Sequence, residues 1–324
     1  MKSFADRLVA QIRSKNSLVC VGLDPRIEGP GNIPSFLIED AGGDPNQAIW
    51  LFNKAIIDAT KSVAAIFKPQ SAFYEQYEAY DALKKTLRYL REHDCLSILD
   101  AKRNDIGTTA EAYAIAGFDK LGADAITVNG YLGIDGVKPF LEYIPKGKGI
   151  FLLLKTSNKS SGEFQDLFSV NLGEINATIT SSELKNQSAV RNYLQMTRLM
   201  TKWAQSADNC KTTEMFGESG YLSVGGVVGA TYPEQMEAVR SEAPKSFLLI
   251  PGYGAQGGTA KDIMHGVNPD GLGAIVNASR SINFAYTQKP YSSRFSAEEF
   301  AMAAAESARD MQQDINIAIA ARKI

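Results

Sequence analysis

Residues 96–109 read LSILDAKRNDIGTT, an apolar run that ends in Asp100, Lys102 and Asp105. Strand side chains alternate between faces, so Asp100 and Lys102, two apart, are expected to project the same way from the strand end. A carboxylate beside an ammonium serves three purposes: a structural ion pair, a Schiff-base lysine with its helper, or an acid catalyst kept protonated by negative neighbours. Other apolar runs also finish in polar residues: Asp24, Lys68, Asn129, the triplet Thr156, Ser157 and Asn158, and Ser279 with Arg280. Taken singly, the charged ones read as rim ion pairs worth about 0 to 1 kcal/mol each. A lysine among aspartates favours its charged form, because an opposite charge at about 4 Å and an effective dielectric near 20 contributes on the order of 4 kcal/mol. Such a lysine is a proton donor. A Schiff-base lysine needs a pKa depressed by desolvation or a neighbouring cation, so the aspartates count against a class I aldolase.

The order of elements decides whether these residues share one rim. Short apolar runs at 18–23, 64–68, 95–102, 125–129, 149–155, 224–229, 246–250 and 273–277 are predicted strands. Between the first two, Ile49, Phe52, Ile56, Ala59 and Val63 mark one helix face, and Phe73, Tyr77, Tyr80, Leu83, Leu87 and Leu90 repeat the signature before the third. Ser296 and Glu299 form a capping box ahead of a helix carrying Phe300, Ala304, Met311 and Ile315. Strands alternating with helices imply parallel crossovers, and eight of them predict an α/β chain closed into a (β/α)₈ TIM barrel. A doubly wound open sheet is the alternative, but no G-x-G-x-x-G follows the first strand. We expect residues 1–324 to form a single barrel domain. The stretch at about 158–223 is long for a βα connection, has a helix-like part near 190–204, and is expected to lie as an insertion over the barrel mouth.

In such barrels the site lies at the C-terminal strand ends, and the loops after the seventh and eighth strands commonly bind phosphate. The seventh is followed by PGYGAQGG, residues 251–258, whose glycines let backbone N–H groups approach an anion. The following helix would add its positive N-terminus, and Arg280 after the eighth strand could grip phosphate oxygens bidentately.

Composition narrows the function. The 324 residues are 44% hydrophobic and 22% charged with a net charge of −2, which offers no electrostatic footprint for nucleic acid. No run of about 18 apolar residues could span a bilayer, and the opening MKSFADRLVAQIRSKNS reads as an amphipathic helix rather than a secretory segment, so the protein is expected in the cytoplasm. Cys20, Cys95 and Cys210 have no metal-ligand spacing and read as buried free thiols; His93 and His265 read as structural. Two histidines leave no His-rich zinc site and make a Ser-His-Asp triad hard to build, and no metal site is expected.

At this point the chain resembles the orotidine 5′-phosphate decarboxylases, in their longer branch. The resemblance runs through VGLDP, FKPQSAFYE, LDAKRNDIGTT, LLLKTSN, PGYGAQGG and ASRSI, with D-x-K-x-x-D as the most specific element. It implies cofactor-independent decarboxylation of orotidine 5′-phosphate to UMP, the last step of de novo pyrimidine biosynthesis. It further implies a charged tetrad of Lys68, Asp100, Lys102 and Asp105, with Lys102 as proton donor. Asp105, Ile106 and Thr109 would reach into the other subunit's site, making a homodimer with shared active sites. Asp24 and Lys68 would hold ribose hydroxyls, Ser157 the pyrimidine edge, and Gln256 and Arg280 the 5′-phosphate. Ser279 stands where the shorter branch has glycine, with its backbone N–H toward the phosphate, and Gln70 replaces an asparagine of some relatives. Related enzymes that act on sugar phosphates through a Mg²⁺-stabilised enediolate share D-x-K-x-x-D. They need a further acidic ligand near the first two strand ends, where this chain has Asp24 but Lys68. A catalytically silent nucleotide-phosphate binding barrel would keep Arg280 and the glycine loop without needing Asp100 and Lys102.

Overall fold

The structure, a computed structural model, describes residues 2–29, 32–170, 189–205, 216–254 and 257–322. Eight strands carry the fold: β1 (Val19–Leu23), β2 (Ile66–Pro69), β3 (Ile98–Arg103), β4 (Ala125–Val128), β5 (Gly149–Lys155), β6 (Leu222–Val228), β7 (Ser246–Pro251) and β8 (Ala274–Ala278). Their order is β2-β1-β8-β7-β6-β5-β4-β3, every pairing parallel. The two ends of that order meet through bridges Phe67↔Ser97 and Gln70↔Asp100, which closes the (β/α)₈ barrel predicted from the alternation. Strands buried on both faces read as continuous apolar runs, which is why all eight were visible in the sequence.

The helices form the outer layer. Pro45–Thr60 starts on the Asp44 side-chain cap and buries Ile49, Phe52 and Ile56. The face expected to run unbroken from Phe73 to Leu90 is split: Ser71–Gln76 and Tyr80–Glu92 are separate helices, Glu78 between them has φ 52°, and Tyr80 is exposed. Leu83, Leu87 and Leu90 keep the buried stripe. Phe300–Arg322 buries Phe300, Ala304, Met311 and Ile315, and Ser296 N–H donates to the Glu299 carboxylate just ahead of it.

Phe4–Lys15, capped by Ser3, sets Phe4 against Phe151 and the open space at Gly149, where a Cβ would lie 2.4 Å from the Phe4 ring. Gly149 begins β5, so this helix covers the barrel end opposite the strand C-termini. In the segment expected over the mouth, Asn192–Gln205 is a helix that packs on β5, β6 and the helix Pro233–Glu242. It serves as the crossover helix of the barrel wall. Among the described residues of this segment, the stretch just after β5, with Asn158 and Gln165, borders the mouth.

Candidate active site

A cavity of about 590 Å³ opens at the C-terminal strand ends, and each of the eight strands or the loop after it contributes to its wall. Asp24, Lys68, Asp100, Lys102, Ser157, Ser279 and Arg280, named from sequence, all line it. Asp105, Ile106 and Thr109 do not line the cavity of their own chain; Asp105 Oδ1 accepts the Ile106 N–H at 2.9 Å. Gln256 lies outside the described residues, as does Cys210.

Asp100 organises the centre. Its side chain is 8% exposed, and four donors surround it. Lys68 Nζ at 2.7 Å and Gln70 Nε2 at 3.2 Å reach Oδ2, while Lys102 Nζ at 2.6 Å and the Thr127 hydroxyl at 2.9 Å reach Oδ1. Burial alone would push this carboxyl up, but the ammoniums of Lys68 and Lys102 outweigh it and hold Asp100 well below the usual carboxylate range. Burial likewise pulls Lys68 down, and the carboxylates of Asp100 and Asp24 more than reverse that, keeping it charged. Beside them, burial pushes the Cys20 thiol up to about 12, which leaves it protonated and inert. Asp24 carries a buried Oδ1 with no hydrogen-bond partner among the described residues. His93 and His265 bond Tyr89 and Glu237 on the outer helices, away from the cavity.

Asp100 and Lys102 meet, but not by regular strand alternation. The β3–β4 register shifts between Leu99 and Arg103, and Lys102 sits at φ 48°. This bulge turns the Lys102 side chain onto Asp100, as bulges beside active sites commonly re-aim a residue. A left-handed non-glycine backbone is costly and persists only where its surroundings enforce it.

The stretch after β5 is held by residues the sequence reading passed over. Lys155, fully buried at the end of an apolar run, donates to Asp166 Oδ2 at 2.7 Å and Ser161 Oγ at 3.0 Å, with the Tyr232 ring 4.4 Å away. Gln165 accepts the Thr156 N–H at 2.9 Å and donates to its hydroxyl at 2.8 Å. These contacts fix Thr156 and Ser157 on the wall. Gly229, just past β6, makes room: a Cβ there would lie 2.8 Å from Ser157 Cα. A lysine terminating an apolar strand was the available signal for Lys155, and its partner eleven residues on was not.

At the opposite wall, Gly252 and Gly254 of PGYGAQGG adopt φ 98° and 67°, backbone that a side chain would strain. The Tyr253 hydroxyl donates to Asp314 of the last helix, tying this loop to the outer layer. The helix expected to present its N-terminus there is a single turn, Ala260–Ile263, capped by its own Thr259 and Asp262. Its dipole is correspondingly small. Arg280 faces the cavity, and its guanidinium has no ion-pair partner among the described residues, leaving that charge available to an anion.

Residues 17–290 match the sequence profile of the orotidine 5′-phosphate decarboxylase / HUMPS family. The chain is 40% identical over 286 residues to orotidine 5′-phosphate decarboxylase of Clostridium perfringens, covering 87% of this chain and 89% of the relative. It is 35% identical over 339 aligned positions to that of Caldicellulosiruptor saccharolyticus, covering 98% and 100%. Among solved structures, OMP decarboxylase of Leishmania donovani superposes with TM-score 0.70 at 30% identity, covering 98% of this chain and 99% of that one. On the strength of the matched profile and of relatives aligned over most of its length, the chain belongs to the orotidine 5′-phosphate decarboxylase / HUMPS family.

Proposed function

We propose that this protein decarboxylates orotidine 5′-phosphate to UMP without metal or organic cofactor. The observation that carries the reading is Lys102 Nζ at 2.6 Å from a buried, ionised Asp100 in a cavity with an available arginine. The C6–carboxylate bond breaks, CO₂ leaves, and the electron pair stays on C6 of the pyrimidine. The Lys102 ammonium stabilises that developing charge and then gives C6 its proton, and solvent reprotonates the amine. Asp100 beside the departing carboxylate disfavours the ground state.

The other site residues supply binding. Asp24, with its unpartnered Oδ1, and Lys68 suit ribose hydroxyls. Ser157 suits the pyrimidine edge. Arg280, Gln256 and the Ser279 backbone suit the 5′-phosphate, whose binding energy, remote from C6, can drive closure and press the carboxylate toward Asp100.

Asp105, Ile106 and Thr109 are assigned to the neighbouring site of a homodimer. Ile106 is 54% exposed, Tyr131 67% and Leu132 43%. They form a neighbouring apolar set, since Gly136 lies against both the Asp105 carbonyl and Leu132. A second copy seated there would cover this surface and carry the Asp105 of each subunit to the other. Among the described residues no helix is long and apolar enough to cross a membrane, and we place this small-molecule reaction in the cytoplasm, without nucleic-acid partners.

The Mg²⁺-dependent sugar-phosphate reading is disfavoured by Lys68, whose ammonium lies against Asp100 where an acidic metal ligand would be required. Exhaustive chelation separates the two. Turnover of orotidine 5′-phosphate that survives EDTA supports the proposal, and activity lost to EDTA and restored by Mg²⁺ favours the rival.

A further inference from the structure

We infer that Thr127 is a positioning residue for the decarboxylation: its hydroxyl locks the left-handed backbone at Lys102 and orients Asp100. Thr127 is 1% exposed and sits in β4 beside the β3 bulge. Its Oγ1 accepts the N–H of Ala101 at 3.0 Å and of Lys102 at 2.9 Å, and it donates its single proton to Asp100 Oδ1 at 2.9 Å. A hydroxyl has one donor and two acceptor sites, so this one is saturated by three consecutive residues of one strand.

The β3–β4 ladder explains why that matters. Pairing runs through Leu99↔Ile126 and resumes at Arg103↔Val128, which leaves the amides of Ala101 and Lys102 without a ladder carbonyl. The Thr127 hydroxyl takes the place of that carbonyl. Without it, two inward N–H groups beside a charged cluster lose their acceptor, and the chain has reason to relax the strained Lys102 backbone. Relaxation there moves the ammonium root, and a shift of about 1 Å in a reacting group can cost about 10²-fold in rate. Asp100 keeps Lys68, Gln70 and Lys102 as donors, so the ion cluster persists while its geometry loosens.

The inference rests on the decarboxylase reading, and the experiment separates their failures. Wild type, Thr127→Val and Thr127→Ser are assayed with orotidine 5′-phosphate, alongside thermal unfolding. Valine keeps the β-branched shape and removes the hydroxyl; serine keeps the hydroxyl and removes a methyl. We expect Thr127→Val to lower kcat about 10- to 100-fold with KM within about threefold, and Thr127→Ser to stay within about threefold of wild type in both. A folded Thr127→Val with wild-type kcat overturns the inference, as does Thr127→Ser falling as far as Thr127→Val. If Thr127→Val does not fold, Thr127→Ala replaces it against Thr127→Ser, and equal kcat in that pair is the overturning result. No turnover by wild type would instead refute the decarboxylase reading itself.

Discussion

Gly22 of β1 and Ser279 at the end of β8 are fitted to one another: a Cβ on Gly22 would lie 1.9 Å from Ser279 Oγ and 2.9 Å from Ser279 Cβ. The glycine of VGLDP is thus the space into which the residue preceding Arg280 fits. Gly22→Ala is expected to push Ser279 and Arg280 outward, raising KM for a phosphorylated substrate and lowering stability by about 1–3 kcal/mol. Ser279→Gly in the same chain should restore both. A double variant no better than Gly22→Ala would show that the contact does not set the position of Arg280.

Arg280→Ala alone should raise KM strongly, since its assigned partner is a phosphate remote from C6. Some fall in kcat would accompany lost closure. Initial rates across substrate concentration check this, and a fall in kcat at unchanged KM would remove the phosphate assignment.

The ion cluster has a pH signature. Asp100 is held below its ordinary value, so its contribution to stability is present above the unfolded-state pKa of about 4 and is lost as pH falls through the depressed native one. Asp100→Asn leaves the buried Lys68 without its carboxylate and should cost about 3–5 kcal/mol near neutrality. Denaturant unfolding of both proteins should show that gap constant above about pH 5 and narrowing below about pH 4, where Asp100 of the unfolded chain takes up a proton while the folded one stays ionised. A gap that widens on acidification would contradict the charge state assigned to Asp100.

Asp105 can be tested by mixing subunits. Lys102→Ala and Asp105→Ala should each be inactive as homodimers. A heterodimer of the two has one doubly damaged site and one that joins an intact Lys102 to an intact Asp105, so activity should reappear on exchange. Verified heterodimers without activity would place Asp105 in the same site as its own Lys102.

Much of this arrangement was legible because parallel strands write themselves as apolar runs and the polar residues ending them must share a rim. That logic placed Asp24, Lys68, Asp100, Lys102, Ser157 and Arg280 around one cavity. It reached the Asp100–Lys102 pair by the wrong local geometry, because a bulge has no period to read: the register shift after Leu99 and the left-handed Lys102 depend on Thr127 in the next strand. Thr127 itself looked like one more β-branched strand residue. The break at Glu78 was hidden because Tyr80 kept the helical spacing while standing exposed. Length suggested that 158–223 lay over the mouth, but only packing reveals that Asn192–Gln205 is the wall helix.

The central claim is that Lys102, set against Asp100, carries the loss of CO₂ from orotidine 5′-phosphate. The most direct measurement is the orotate absorbance of that substrate when mixed with purified wild type and with folded Lys102→Ala, with UMP quantified at the end. The account predicts that wild type abolishes the chromophore with one UMP formed per substrate lost, and that Lys102→Ala is slower by many orders of magnitude. An unchanged chromophore with wild type, or comparable rates in the two proteins, would contradict it.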